Sequence, residues 1–429
     1  VLGVGALLTV IAAVSPSTRS LTLWFYSLTL TIIIANRARV PLIYLARIIV
    51  WLAVISSIDW IFPTLTRQQW GSFFLVAMVG EWAVSTQGGP RIHPLLRQVA
   101  QRSGWHFGFW FAGLSFILLG QSDAGTLWRV LWLITPVTLT LTANYQEEGR
   151  QKTAAGWGIA TTFLAQGLIL SSLWTRVVGW SVATGLLVIN ARYFPKVSIK
   201  MLPVGAALAL GSSPFWEQLQ LPGWTVWSAI ALIILWSATA LLARQRKRRA
   251  LLYARATNNW GIMVCIGVLS AIALHGMRGV AGESFWQYPL AASLTTLALT
   301  TRYWQAPRAI TGYGVLIAIE LTAIESLHLT GGTLLHLAMV NLGLGLLALV
   351  SYYRLPSRWM TTSLEIAPLG FAGVAMMSRL NTFTAYTGLL TLAAAIIALF
   401  VGSHRQTWKG ISYLALVGIL LGSYELAIS

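Results

Sequence analysis

The stretch ITGYGVLIAIELTAIESLHLTGGTLLHLAMVNLGLGLLALV, residues 310–350, decides how the chain is read. Two apolar arms flank Leu329-Thr330-Gly331-Gly332, and a glycine pair of this kind ends a helix and turns the chain. Counting outward from the turn, Glu320 is expected level with Asn341, and Glu325 level with His336. Glu320 precedes Thr330 by ten residues. At 1.5 Å per residue that is ~15 Å, half of a ~30 Å hydrocarbon core. A charged side chain at that depth costs at least ~2.5–3.5 kcal/mol, so it needs a reason to be there.

The rest of the chain looks like this hairpin without its polar ladder. Hydrophobic residues make up 56% of the 429 residues, charged residues 9%, and the mean hydropathy is +0.71. Soluble domains carry ~25% charged residues, so that class is excluded. Apolar runs of ~15–19 residues recur, near the length that crosses a bilayer, and no connection has room for a soluble domain. A barrel needs alternating strands, which are missing from the pattern.

The fold class expected is an all-α integral membrane protein of about seventeen transmembrane helices. The spans fall at 1–14, 21–36, 41–58, 71–87, 105–120, 127–143, 155–172, 176–191, 200–213, 224–242, 258–275, 286–301, 309–327, 333–350, 362–378, 384–402 and 409–427. Residues 1–429 then form a single polytopic membrane domain: a leading helix in 1–20, followed by tandem antiparallel hairpins over 21–429. The chain opens on Val1 with no charged segment before its first apolar run. That fits either a processed N-terminus or a piece of a longer chain.

The net charge of +18 is distributed by topology. Only Arg19, Arg67, Arg129, Arg176, Arg278 and Arg379 fall near one set of turns; the other basic residues fall on the alternate connections. Asp59, Asp123, Glu217, Glu283, Glu325 and Glu425 go with the sparse set, whereas Glu147, Glu148 and Glu365 go with the basic one. The positive-inside rule makes the basic connections cytoplasmic. The location expected is a bacterial inner (cytoplasmic or internal) membrane. Anionic lipid head groups on the basic side are expected partners, with other membrane subunits beside them. Nothing resembles a base-reading module, so nucleic acid is not expected.

The basic connections recur near every fifty residues, loosely paired near one hundred. Gly312-Tyr313 and Glu325 return as Ser412-Tyr413 and Glu425, and Arg192-Tyr193-Phe194 as Arg302-Tyr303-Trp304. Such self-similarity marks an array built by duplication, here without inversion. The Arg-aromatic pairs Arg192-Tyr193 and Arg302-Tyr303-Trp304 read first as interfacial anchors. The run Arg244-Gln245-Arg246-Lys247-Arg248-Arg249 reads as a stop-transfer flank able to meet anionic lipid or an acidic partner.

Glu320, Asn341, Glu325, His336 and His328 are the candidate substrate- or ion-binding residues. Glu320 can relay protons, hold a cation or bind a polar substrate; the plain alternative is a hydrogen bond to Asn341. Glu325 and His328 share a helix face, and His336 approaches from the other arm. Two His and a carboxylate suit a metal, but no metal-binding spacing supports one, so no metal or cofactor is expected. Cys265 stands alone in an apolar run, which excludes disulfides and CxxC sites.

The function expected is non-enzymatic. It is either a transporter or carrier with an intramembrane polar site around Glu320, or a structural subunit of a larger membrane complex. The alternative is a membrane-embedded enzyme acting on a lipid-linked substrate at the outer face, prompted by the acids near the sparse turns. No nucleophile–base pair supports catalysis, and no catalytic residue is assigned. The short hairpins and small loops resemble multi-pass membrane proteins of bacteria, and no motif assigns a named family.

Overall fold

A computed structural model describes residues 15–36, 39–86, 94–121, 126–146, 148–278, 285–355, 361–380, 385–404 and 409–428. The leading span at 1–14 and the acids Asp123, Glu147 and Glu283 lie outside the described residues. Among the described residues the regular structure is helical throughout. The chain forms two compact units, Val1–Pro214 and Phe215–Ser429.

The first unit contains α1 (Pro16–Asn36), α2 (Val40–Ile61), α3 (Arg67–Thr86), α4 (Pro94–Gly120), α5 (Thr126–Val130), α6 (Ile134–Tyr145), α7 (Glu148–Ile169), α8 (Leu173–Asn190) and α9 (Val197–Ser212). The second contains α10 (Leu221–Arg244), α11 (Arg248–Arg278), α12 (Gln287–Gln305), α13 (Ala309–Thr330), α14 (Leu334–Arg354), α15 (Thr362–Ser378), α16 (Ala385–His404) and α17 (Lys409–Ile428). Between α5 and α6 the chain tightens into a 3-10 turn at Leu131–Leu133. Pro136 explains it: it has no N–H for the carbonyl of Trp132 and its ring crowds that oxygen.

Nine of the described helices are long and apolar enough to cross a membrane. They are Pro16–Ala35, Val40–Ile61, Leu173–Tyr193, Leu221–Arg244, Arg248–Met277, Ala309–Thr330, Leu334–Arg354, Tyr386–Ser403 and Gly410–Ile428. The surface fits that reading. Phe25, Val76, Ile310, Leu347, Leu414 and Leu420 are widely exposed, whereas the interior is rich in Ala, Ser and Thr. Small residues at helix contacts and large apolar ones outside are the arrangement a lipid solvent favours. Water does not sustain so much open apolar surface. Buried hydroxyls are satisfied within their own helices: Thr140 donates to Pro136 O, Thr162 to Gly158 O and Thr295 to Ala291 O.

The most extensive packing joins α1 with α2, α3 with α4, α6 with α7 and α8 with α9 in the first unit. In the second it joins α10 with α11, α12 with α13, α14 with α15 and α16 with α17. The 310–350 arms therefore do not fold along each other as the sequence reading expected. Helix α13 lies mainly against α12, and α14 mainly against α15. The small residues dictate this. A methyl group on Gly314 would meet Leu299 of α12, and one on Gly345 would meet Pro368 O of α15. Each arm thus presents its smooth face away from the other.

One packing device occurs in both units. The indole of Trp82 on α3 lies on Gly108 of α4, and that of Trp236 on α10 lies on Gly261 of α11. Both tryptophans are buried, and only a residue without a side chain fits beneath them.

Candidate functional site

The turn at the heart of the 310–350 stretch is a glycine-capped helix end. Gly331 is left-handed at φ 70°, its N–H donates to His328 O at 3.4 Å, and Gly332 N–H donates to Leu327 O at 2.7 Å. These two bonds satisfy the last carbonyls of α13. Thr333 then caps α14, and its N–H donates to His336 Nδ1 at 3.1 Å.

That cap corrects the pairing expected for His336. The ring serves the start of its own helix instead of facing Glu325, because the orphan N–H of Thr333 lies one turn away. Glu325 turns instead to α11, where His275 Nδ1 lies 2.9 and 3.1 Å from its two oxygens. Glu325 is 2% exposed. His275 stacks on Tyr288 of α12 at 3.8 Å between ring centroids, which fixes the imidazole plane. Gly276 leaves the room for Glu325 Oε1 and Ile324 to approach. His328 joins neither acid, and its Nδ1 is buried without a hydrogen-bond partner among the described residues. Glu325, His328 and His336 are therefore not gathered into one ligand set. No metal-holding group of His, Cys, Asp and Glu occurs among the described residues.

Glu320 and Asn341 do meet. Asn341 Nδ2 donates to Glu320 Oε1 at 3.1 Å and to Leu337 O at 3.1 Å. Asn341 is fully buried and Glu320 is half-buried. Glu320 Oε2 and Asn341 Oδ1 are both buried without a partner among the described residues. One proton on Glu320 makes these two atoms complementary. A carboxylic acid donates an O–H where a carboxylate only accepts, so acid and amide can close a two-bond pair. Glu320 also lines an apolar groove of about 250 Å³ with Leu316, Ile317 and Leu321 of α13 and Ala367, Gly370, Phe371 and Val374 of α15. Glu320 and Glu325 are five residues apart, ~140° around the helix, so they face different neighbours.

Other acids are likewise held by side chains of neighbouring helices or turns, pairings that do not follow from the sequence. Glu81 on α3 is 3% exposed and accepts from the guanidinium of Arg47 and from Trp51 Nε1 at 2.5 Å, both on α2. Arg47 also donates to Ser103 Oγ and Ala100 O of α4 and lies 5.6 Å over the Phe107 ring. Arg19 of α1 donates to Asp59 of α2 at 2.8 Å, and Arg379 donates to Glu425 of α17 at 2.6 Å. Two of the six basic residues of the sparse set of turns are thus paired with acids of the same set. The signal available in the sequence was the near-fifty spacing, which separates His275 from Glu325 and Arg379 from Glu425 within a few residues.

The Arg-aromatic candidates divide. Arg192 is exposed, but Tyr193 Oη donates to Asn144 Oδ1 at 2.6 Å. Arg302 donates to Asn258 Oδ1 at 2.9 Å, and Tyr303 Oη lies 2.9 Å from Thr361 Oγ1. Trp304 is 66% exposed, as an interfacial ring is. These residues tie connections together as well as meeting the surface. Arg246, Lys247 and Arg248 are exposed at the corner between α10 and α11, where Arg246 is left-handed at φ 52°. Comparison with protein families, with curated proteins and with solved structures finds no match to this chain.

Proposed function

We propose that this multi-pass membrane protein is a structural subunit of a larger membrane assembly, not a transporter or an enzyme. The observation that carries the reading is the disposition of its acids. Asp59, Glu81, Glu320 and Glu325 each engage one neighbouring helix, and Glu425 engages Arg379 of the turn after α15 and Thr391 of α16, all at separate interfaces. A transport path needs such groups to converge on one polar cavity. Here they act as clips, and the open apolar outer faces are left for lipid and for other membrane helices. The same reading gives seventeen spans as eight hairpins after a leading helix. Its basic connections are cytoplasmic, on anionic lipid, in a bacterial inner membrane.

A carrier remains the second reading on one specific observation: Glu320 is half-buried beside the α13–α15 groove. Reconstitution of the purified chain into liposomes separates the two. With imposed proton, sodium or potassium gradients, the structural reading expects flux equal to that of empty liposomes. Gently solubilised native membrane should then give the chain in fixed ratio with another polypeptide. Flux that is lost in folded Glu320→Gln, or a chain that runs alone, overturns it.

A further inference from the structure

The first unit carries an open groove of about 730 Å³ that the acid clips do not explain. Its walls are apolar, formed by aliphatic side chains such as Leu52, Ile55 and Leu118 together with the rings of Trp70 and Phe74, and its polar groups are Arg19, Ser56, Asp59 and Arg67. Arg19 is the fourth residue of α1, Asp59 is two residues from the end of α2, and Arg67 opens α3. All three therefore lie at helix ends, where a span meets the head-group layer.

Arg19 is already committed. It donates from Nη2 to Asp59 Oδ2 at 2.8 Å and from Nε to Ser56 Oγ at 2.8 Å. Arg67 is exposed and has no hydrogen bond or ion pair among the described residues. The rim thus holds two guanidinium groups against one carboxylate, an excess of one positive charge. It stands at the mouth of an apolar trough whose volume lies within the ~300–1,000 Å³ of small-molecule sites.

We propose that this groove holds one anionic phospholipid. Its phosphate meets Arg67 at the rim beside the Arg19–Asp59 pair, and its acyl chain lies along Leu52, Ile55 and Leu118. The charge complementarity selects the head group, and a guanidinium matches phosphate oxygens two at a time. The apolar walls select a lipid over a free anion. This site is distinct from the basic connections, since Arg19 and Arg67 belong to the turns that carry few cations.

The test uses the full chain in vesicles of zwitterionic phosphatidylcholine doped with a diazirine-bearing lipid, either phosphatidylglycerol or phosphatidylcholine. After illumination, adducts are mapped by mass spectrometry. Adducts at Leu52, Ile55 and Leu118 are expected about fivefold more often with phosphatidylglycerol, the factor that ~1 kcal/mol per basic residue implies. Arg67→Gln should abolish that preference and Arg67→Lys should keep most of it, while adducts at the exposed Phe25 and Val76 of the same unit stay unchanged and report an intact fold. Equal labelling by the two lipids in the parent chain, a preference that survives Arg67→Gln, or no adducts in the groove would overturn the proposal.

Discussion

Arg379 and Glu425 meet as a two-pronged pair, Nη1 donating to Oε2 at 2.6 Å and Nη2 to Oε1 at 2.8 Å. Arg379 also donates to Thr387 O, and Thr391 Oγ1 donates to Glu425 at 3.3 Å. The pair is about nine-tenths buried and ties the turn after α15 to both α16 and α17. Its position explains how an arginine is tolerated among the turns that carry few cations. The charge arrives with its counter-ion, so little net charge is exposed to lipid.

Removing the arginine leaves a buried carboxylate unpaired. Arg379→Gln is expected to cost ~3–5 kcal/mol. Arg379→Lys keeps the charge but loses the fork, and should fall between Gln and the parent chain. Thermal unfolding of the detergent-solubilised chain reads both. Three identical midpoints would remove the pair from the account.

The glycines under the two indoles give a second test. A methyl on Gly108 or Gly261 meets Trp82 or Trp236 well inside van der Waals contact. Each Gly→Ala change should cost ~1–3 kcal/mol by overpacking. Gly113 of α4 has open space around its Cβ position, so Gly113→Ala should be neutral or gain ~0.5–1 kcal/mol from helix propensity. Midpoints in the reverse order would contradict the packing described.

Gly331 is a conformational case, because space is not what restricts it. Its φ of 70° is left-handed, so Gly331→Ala should cost ~1–2 kcal/mol. Gly343→Ala, in the interior of α14 with nothing near its Cβ position, should not. Hydrogen exchange at Gly332, whose N–H closes the turn, should accelerate only in the first variant.

Much of this was legible in the sequence. The apolar runs, the glycine turn and the level of Glu320 with Asn341 all follow from counting along one or two adjacent helices. Partner choice between helices does not follow that way. His275 reaches Glu325 from α11, and nothing local distinguishes that pairing from Glu325 with His336. His336 is a capping residue, a role usually filled by Glu or Gln, so its pattern resembled a ligand instead. The packing phase depended on which faces carry Gly and Ala. For α13 and α14 those faces point to α12 and α15, which hydropathy alone does not reveal.

Glu320 distinguishes a structural carboxyl from an ionic site. Glu320→Gln retains a neutral acceptor and donor for Asn341, so folding should be close to normal. Glu320→Leu strands the buried amide and should cost ~1–3 kcal/mol. Unfolding midpoints that fall equally in both variants would show that the charge itself is required.

The measurement closest to the central claim is a double-mutant cycle across His275 and Glu325. In the proposed structural role this contact clips α11 to α13 and is not a station on a path. His275→Phe strands the buried Glu325 and should destabilise by ~1–3 kcal/mol, whereas Glu325→Leu leaves the partly exposed His275 and should cost less. The double variant replaces the pair by apolar groups and should recover most of the larger loss, a coupling of ~1–2 kcal/mol. Additive losses, with no recovery in the double variant, would contradict the claim that the acids of this protein act as pairwise clips.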